Sequence, residues 1–119
     1  MINLDERFIQ QLKKGVLELL VLDTICQGPT YGYALLTTLK ENTSGFFTLK
    51  EGTLYPILYR LEDDGLIASS WSTTEGRTAP KKIYTATALG HEARLQRNEI
   101  WKNFTNTVDN YLKKGCNKI

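Results

Sequence analysis

The stretch Glu51-Gly52-Thr53-Leu54-Tyr55-Pro56-Ile57-Leu58-Tyr59-Arg60-Leu61-Glu62-Asp63-Asp64-Gly65 decides how the rest of this chain is read. Leu54, Leu58 and Leu61 recur at i, i+4 and i+7, the spacing of one helical face, and predict a helix from about Glu51 to Asp64. Pro56 falls inside that span but close to its start. There the missing N–H is not needed, and the ring's clash is directed at residue 52, a glycine. Gly65, free to adopt a left-handed conformation, ends the helix. With the leucines turned inward, Thr53, Tyr55, Tyr59 and Arg60 remain on the other sides, and Lys50 stands just before the first turn. Hydroxyls of this kind bond to phosphate oxygens or base edges, a guanidinium grips a phosphate or reads guanine, and a helix N-terminus favours an anion. Glu62, Asp63 and Asp64 gather at the opposite end, where a polyanion is repelled. The helix is therefore expected to meet a nucleic-acid groove with its N-terminus first.

Working towards the N-terminus, Leu12, Val16, Leu19, Leu20 and Ile25 mark a helix from Phe8 to Cys26 that is apolar almost all round in its second half. Gly28 and Pro29 stop it. Thr30 is placed to N-cap a second helix, Tyr31 to about Asn42, expected to bury Tyr33, Leu35, Leu36 and Leu39. Thr43, Ser44 and Gly45 break the chain, and Phe46 to Leu49 suit a short strand or an extended linker. Working towards the C-terminus, Leu66 to Thr73 and Lys82 to Thr87 are β-prone runs joined through Gly76 and Pro80, a hairpin with Arg77, Lys81 and Lys82 at or beside its tip. Cations there follow a phosphate backbone or enter a minor groove. Thr87 N-caps a final helix from Ala88 to about Lys114, about 40 Å long. Along it Trp101, Phe104, Val108 and Tyr111 fall at spacings of 3, 4 and 3, a coiled-coil seam suited to a second copy of the chain. A second apolar line through Leu89, Ala93 and Ile100 is expected to face the first helix.

The order α-α-α-β-β-α is that of a winged helix-turn-helix, mainly α with a two-stranded wing: a DNA-binding unit over residues 1–87 and a dimerisation helix over 88–119. A chain of 119 residues leaves no room for a separate catalytic domain. The net charge is only +2, too small to announce a polyanionic partner by itself, so its distribution matters more. Residues 50–65 carry two basic and four acidic side chains, 66–87 three and one, and 88–119 six and three. Cys26 and Cys116 lie far apart without any metal-ligand spacing, and read as free thiols of a cytoplasmic protein with no metal and no cofactor. The N-terminus resembles neither a signal peptide nor a membrane span. His91 lacks a partner carboxylate or cysteine at a telling distance along the chain and reads as a surface residue. No paired-carboxylate, Ser/His/Asp, Cys/His or phosphate-loop pattern supports an enzyme.

Several segments together carry a family resemblance. They are Gly15-Val16-Leu17-Glu18-Leu19-Leu20, Gly28-Pro29-Thr30-Tyr31-Gly32-Tyr33, Gly52-Thr53-Leu54-Tyr55-Pro56, Leu58 through Ile67, and Lys82-Ile83-Tyr84-Thr85-Ala86-Thr87 with Gly90. The sequence resembles the PadR family of bacterial winged-helix regulators over nearly its whole length. Ala86 stands where the family usually carries a larger apolar residue, a departure confined to the packing of the wing. The resemblance implies a homodimer joined by the C-terminal helix, repression of nearby genes from a palindromic operator, and release from DNA when a small molecule binds. The single C-terminal helix makes the chain similar to a short subgroup that includes a multidrug-responsive repressor. There a tryptophan from each subunit flanks a flat hydrophobic pore, and Trp101 matches it in position, with Phe8 and Leu12 lining the same space. Such an aromatic sandwich takes planar, cationic or phenolic compounds.

Plainer readings stand beside these. Trp101 also fits an ordinary interface aromatic, Tyr33 reads as simple packing, and Tyr31 as packing or a phosphate contact. Lys81 and Lys82 outside the hairpin context are a solvated pair. A winged-helix protein-interaction module without DNA binding also fits the low net charge and the acidic end of the third helix.

Overall fold

The structure, a computed structural model, describes residues 4–72 and 79–117. Four helices and one hairpin follow each other as α1 (Leu4–Cys26), α2 (Gly32–Asn42), α3 (Glu51–Asp63), β1 (Ile67–Trp71), β2 (Lys82–Ala86) and α4 (Ala88–Asn117). This is the mainly helical winged helix-turn-helix expected from the sequence. The core is built where the apolar periodicities of the first three helices converge. Val21, Leu22 and Ile25 of α1, Leu35 of α2, and Leu54, Leu58 and Leu61 of α3 are almost completely excluded from solvent, and Tyr84 of β2 closes the cluster. Tertiary burial of these side chains, rather than helix propensity, is what holds α2 and α3, each too short to be stable alone in water.

Strands β1 and β2 pair antiparallel, with Ile67 opposite Ala86 and Trp71 opposite Lys82. Ala86, small as it is, still packs half-buried against the core. Beyond the last pair, Ser72 N donates to the Lys81 carbonyl and Lys81 N to Ser72 Oγ, both at 2.8 Å. The tip, with Arg77, lies outside the described residues.

Several expectations are corrected. First, α1 begins at Leu4, not Phe8. Second, Thr30 does not cap α2. Its backbone exchanges two hydrogen bonds with Tyr84, at 3.1 and 2.7 Å, so that it adds a one-residue bridge to the free edge of β2. Tyr31 takes the N-cap position, in extended conformation and with no side-chain cap. Third, Tyr33 is 73% exposed, because the face of α2 that meets the core is set by Leu35 and Leu39. Phe46 to Leu49 form no strand: the segment is tightened by Phe46 N to Thr43 O and Phe47 N to Thr43 Oγ1, both 3.0 Å, after left-handed Ser44 and Gly45. Fourth, of the line Leu89, Ala93 and Ile100, only Ala93 packs on the body; Leu89 and Ile100 are exposed. Helix α4 meets α1 instead through Gly90, Ala93, Arg94 and Asn98.

The start of α4 is fixed by one crowded corner. Gly65, at φ 76°, ends α3 in the left-handed conformation. Thr87 Oγ1 donates to the Gly65 carbonyl (2.7 Å) and accepts from Gly90 N (3.0 Å), so the predicted N-cap of α4 also ties it to the end of α3. Thr87 N donates to the Leu66 carbonyl. The same carbonyl lies so close to the α-carbon of Gly90 that a Cβ there overlaps it.

A polar tie joins α1 to α4. Arg94 Nε lies 2.7 Å from Asp23 Oδ1, with Asn98 and Gln27 also donating to the carboxylate. Burial works against the charge on Asp23, but the Arg94, Asn98 and Gln27 hydrogen bonds and the Arg94 charge outweigh it and hold the carboxyl below its usual value of 3.8.

Two expectations follow for stability. Gly90→Ala forces the Leu66 backbone to move and is expected to cost about 1–3 kcal/mol in denaturant unfolding. Gly15→Ala, where a Cβ meets nothing within 4 Å, is expected to be neutral or stabilising; equal effects of the two changes contradict this account of the corner. Because Asp23 has a lower pKa folded than unfolded, its contribution is present above pH 3.8 and is lost as the pH falls from there through the folded value. Asp23→Asn is thus expected to lower the Tm at neutral pH, by a difference that closes in acid. A gap that persists at pH 2 shows that the tie stabilises by something other than its charge.

Candidate nucleic-acid interface

One side of α3 is given over to the core, and the opposite side is bare. Gly52, Thr53, Pro56, Tyr59, Arg60 and Asp63 are all exposed, as helical spacing requires once Leu54, Ile57, Leu58 and Leu61 are buried. Lys50, also exposed, is the N-cap and offers no side-chain bond to the first turn, so the cation and the positive end of the helix dipole coincide. Tyr55 departs from the expected set. It is half-buried and packs on the core, and its hydroxyl lies where a side chain on Gly32 would stand, 2.7 Å from the position of a Cβ. Its ring is thus a spacer between α2 and α3, with an edge left at the surface.

The acidic end of α3 is less repulsive than its sequence implies. Glu62 is half-buried and accepts a 2.6 Å hydrogen bond from Ser69 Oγ of β1, which turns its charge towards the wing. Only Asp63 and Asp64 remain fully exposed. Tyr84, beneath this contact, has its hydroxyl pKa raised above 10 by burial and by its neighbours Tyr55, Glu62 and Tyr59, so it stays protonated.

Two candidate contacts that lie fifty positions apart in sequence meet at the base of the wing. Lys81 Nζ sits 4.3 Å above the centroid of the Tyr31 ring, next to the N-terminus of α2. The cation–π contact holds the ammonium without neutralising it. Lys82, half-buried, lies over Tyr84 at 5.8 Å. Lys81, held on the Tyr31 ring, and Lys50, at the start of α3, are thus two cations available near the ends of α2 and α3 that the sequence had singled out. Arg77 lies outside the described residues. Sequence reading passed over Lys14 of α1, which shares a groove with Thr53 and Arg60; in sequence it is one polar residue of a solvated helix end, and only the packing of α1 on α3 brings it there.

On α4, Trp101, Phe104, Val108 and Tyr111 are 42%, 60%, 40% and 76% exposed, along one stripe, and the Trp101 and Phe104 rings stack with centroids 6.2 Å apart. Leu112, not singled out in sequence, and Ile100, expected there to face the first helix, widen the same stripe. Phe8 and Leu12 are likewise exposed on α1. His91 is exposed, as expected, and the half-buried Cys26 thiol donates to the Gly90 carbonyl at 3.8 Å, its pKa raised by burial. No described helix is long and apolar enough to cross a membrane.

Known proteins share this architecture. The crystal structure of a PadR family transcriptional regulator from Eggerthella lenta superposes with a TM-score of 0.80 at 32% identity, covering 90% of each chain. The negative transcriptional regulator PadR of Bacillus subtilis is 32% identical over 77 residues, 65% of this chain and 42% of its own length. The chain thus spans about two fifths of that relative. The structure of B. subtilis PadR in complex with operator DNA matches 68% of this chain and 45% of its own at 31% identity, with a TM-score of 0.60. A family model described as the transcriptional regulator PadR-like family matches residues 21–96, well over half of the sequence, and the chain belongs to that family.

Proposed function

We propose that this chain binds operator DNA as a homodimeric transcriptional repressor of the cytoplasm, does no chemistry, and responds to a small planar aromatic or drug-like effector held between the subunits. The observation that carries the DNA reading is the bare face of α3, with Thr53, Tyr59 and Arg60 exposed between Lys50 and the Tyr31–Lys81 pair. Residues 1–87 form the DNA-binding unit and residues 88–119 the dimerisation helix. Thr53 and Tyr59 reach base edges; Tyr31, Lys50, Arg60, Lys81, Lys82 and Arg77 hold phosphates, and Tyr55 contributes its exposed edge. The bare stripe of Trp101, Phe104, Val108 and Tyr111 supports the dimer, since an aromatic row of this size is costly to leave in water. Two copies present two α3 helices to half-sites one helical turn apart, about 34 Å. The single C-terminal helix and the stacked Trp101 support a likeness to the short, multidrug-responsive members of the family, with Phe8 and Leu12 completing the effector site.

The DNA reading is tested by titrating a duplex from the chain's own upstream region, and an unrelated duplex, over a range of salt. Arg77→Ala combined with Lys81→Ala is expected to weaken both complexes and to lower the slope of log K against log salt by roughly 0.9 per cation removed. Tyr59→Phe or Thr53→Ala is expected to change the preference between duplexes by about 1–3 kcal/mol. Full affinity of the double variant at every salt concentration rejects the wing assignment. For the effector, tryptophan fluorescence is expected to quench on addition of planar drugs or phenolic acids in the wild type and to be insensitive in Trp101→Ala, where Trp71 is the remaining reporter. Equal quenching in both rules out the interface site.

A further inference from the structure

On the side of α3 away from the wing, the N-terminal half of α1 overhangs the recognition face and leaves a groove of about 400 Å³. Leu17 and Ile57, both buried, form its floor; Thr53 and Arg60 are its α3 wall, and Lys14 and Glu18, one helical turn apart, its α1 wall. Gly15 lies on the rim with open space where a side chain would be. Among the described residues, none of Lys14, Glu18 and Arg60 is engaged in a salt bridge. Lys14 and Arg60 are exposed at the mouth, while Glu18 is half-buried between them.

We propose that this groove seats a phosphodiester of the bound duplex, and that Lys14 is a DNA contact which extends the interface from α3 onto α1. The inference rests on the reading of α3 as the helix that enters the major groove. An α-helix with its side chains is about 10–12 Å across, and the major groove is about 12 Å wide. A helix lying in it therefore has a sugar-phosphate strand against each flank. On one flank of α3, where Tyr55 meets Gly32 of α2 and Glu62 meets Ser69 of β1, the strand comes to the side of the Tyr31–Lys81 pair. On the other flank, among the described residues, lies the α1 overhang, and it brings two groups that a phosphate recognises, a planar fork from Arg60 and a mobile ammonium from Lys14, while Thr53 beside them is left to the bases. The apolar floor limits water around these groups and strengthens their hold on an anion. Glu18 has the opposite effect. Its carboxylate reduces the groove to one net positive charge, so it moderates the grip rather than supplying it.

The test compares salt titrations of the whole chain, wild type against Lys14→Gln, Lys14→Arg and Glu18→Gln, on a duplex from its own upstream region and on an unrelated duplex of equal length. Lys14→Gln is expected to weaken both complexes by the same factor and to lower the log–log salt slope by about 0.9. Lys14→Arg is expected to retain the slope, and Glu18→Gln to tighten both complexes. If the wild type binds and Lys14→Gln keeps its affinity and slope, or loses affinity for one duplex only, the groove is not a phosphate seat, and the operator reading is untouched. If the wild type binds neither duplex, the operator reading fails and takes the groove with it. Lys14 is exposed and makes no core contact, so unchanged thermal unfolding of the variants is expected to accompany these effects.

Discussion

Three parts of the molecule are held together by the close approach of the Leu66 carbonyl to Gly90. The end of α3, the root of the wing and the first turn of α4 all pass within a few residues of this contact, and Thr87 stitches them through one hydroxyl that both donates and accepts. Backbone packed against backbone has little room to adjust, because none of the touching atoms belongs to a side chain that can rotate away. The direction in which α4 leaves the body is therefore set by the same atoms that end the recognition helix.

Polar groups around this frame are used to orient elements more than to stabilise the core. Asp23 binds Arg94 and Asn98 at the seam between α1 and α4, and Glu62 takes a hydrogen bond from Ser69 between α3 and β1. Both carboxylates lie at the edge of the apolar cluster, where water still reaches them. Each selects one docking geometry among several that burial alone permits. The interior itself contains no buried polar side chain among the described residues.

The face of α3 was legible because three leucines at helical spacing leave no choice about which side is buried, and the cap at Thr87 because a threonine followed by a helix former has a local meaning. The misreadings share a different cause. Thr30 looks like a cap within its own segment, yet its backbone is recruited by Tyr84, more than fifty residues away, and no local pattern encodes that pairing. Tyr33 was assigned to the core because an aromatic ring was counted as apolar. Leu35, Leu36 and Leu39 take up the core side of α2, and Tyr33 falls off that face. The leucine spacing leaves Tyr55 on one of the other sides of α3, and it is the absence of a side chain at Gly32 that creates the recess its ring half fills. The meeting of Tyr31 with Lys81, and of Lys14 with Thr53 and Arg60, likewise depends on how helices pack, which periodicity within one helix does not contain.

Asn98 makes the last hydrogen bond from α4 to the body among the described residues, and the helix then runs on to Asn117. That free arm is about 28 Å long at 1.5 Å per residue, and a helix bends little over such a distance. Leverage follows directly. A tilt of about 5° at the root carries the tip through about 2.5 Å, nearly half the 3.6-residue rise that separates neighbouring rungs of the stripe. Small changes in how Arg94 and Gly90 seat against α1 are thereby magnified along the arm that carries the exposed aromatic row.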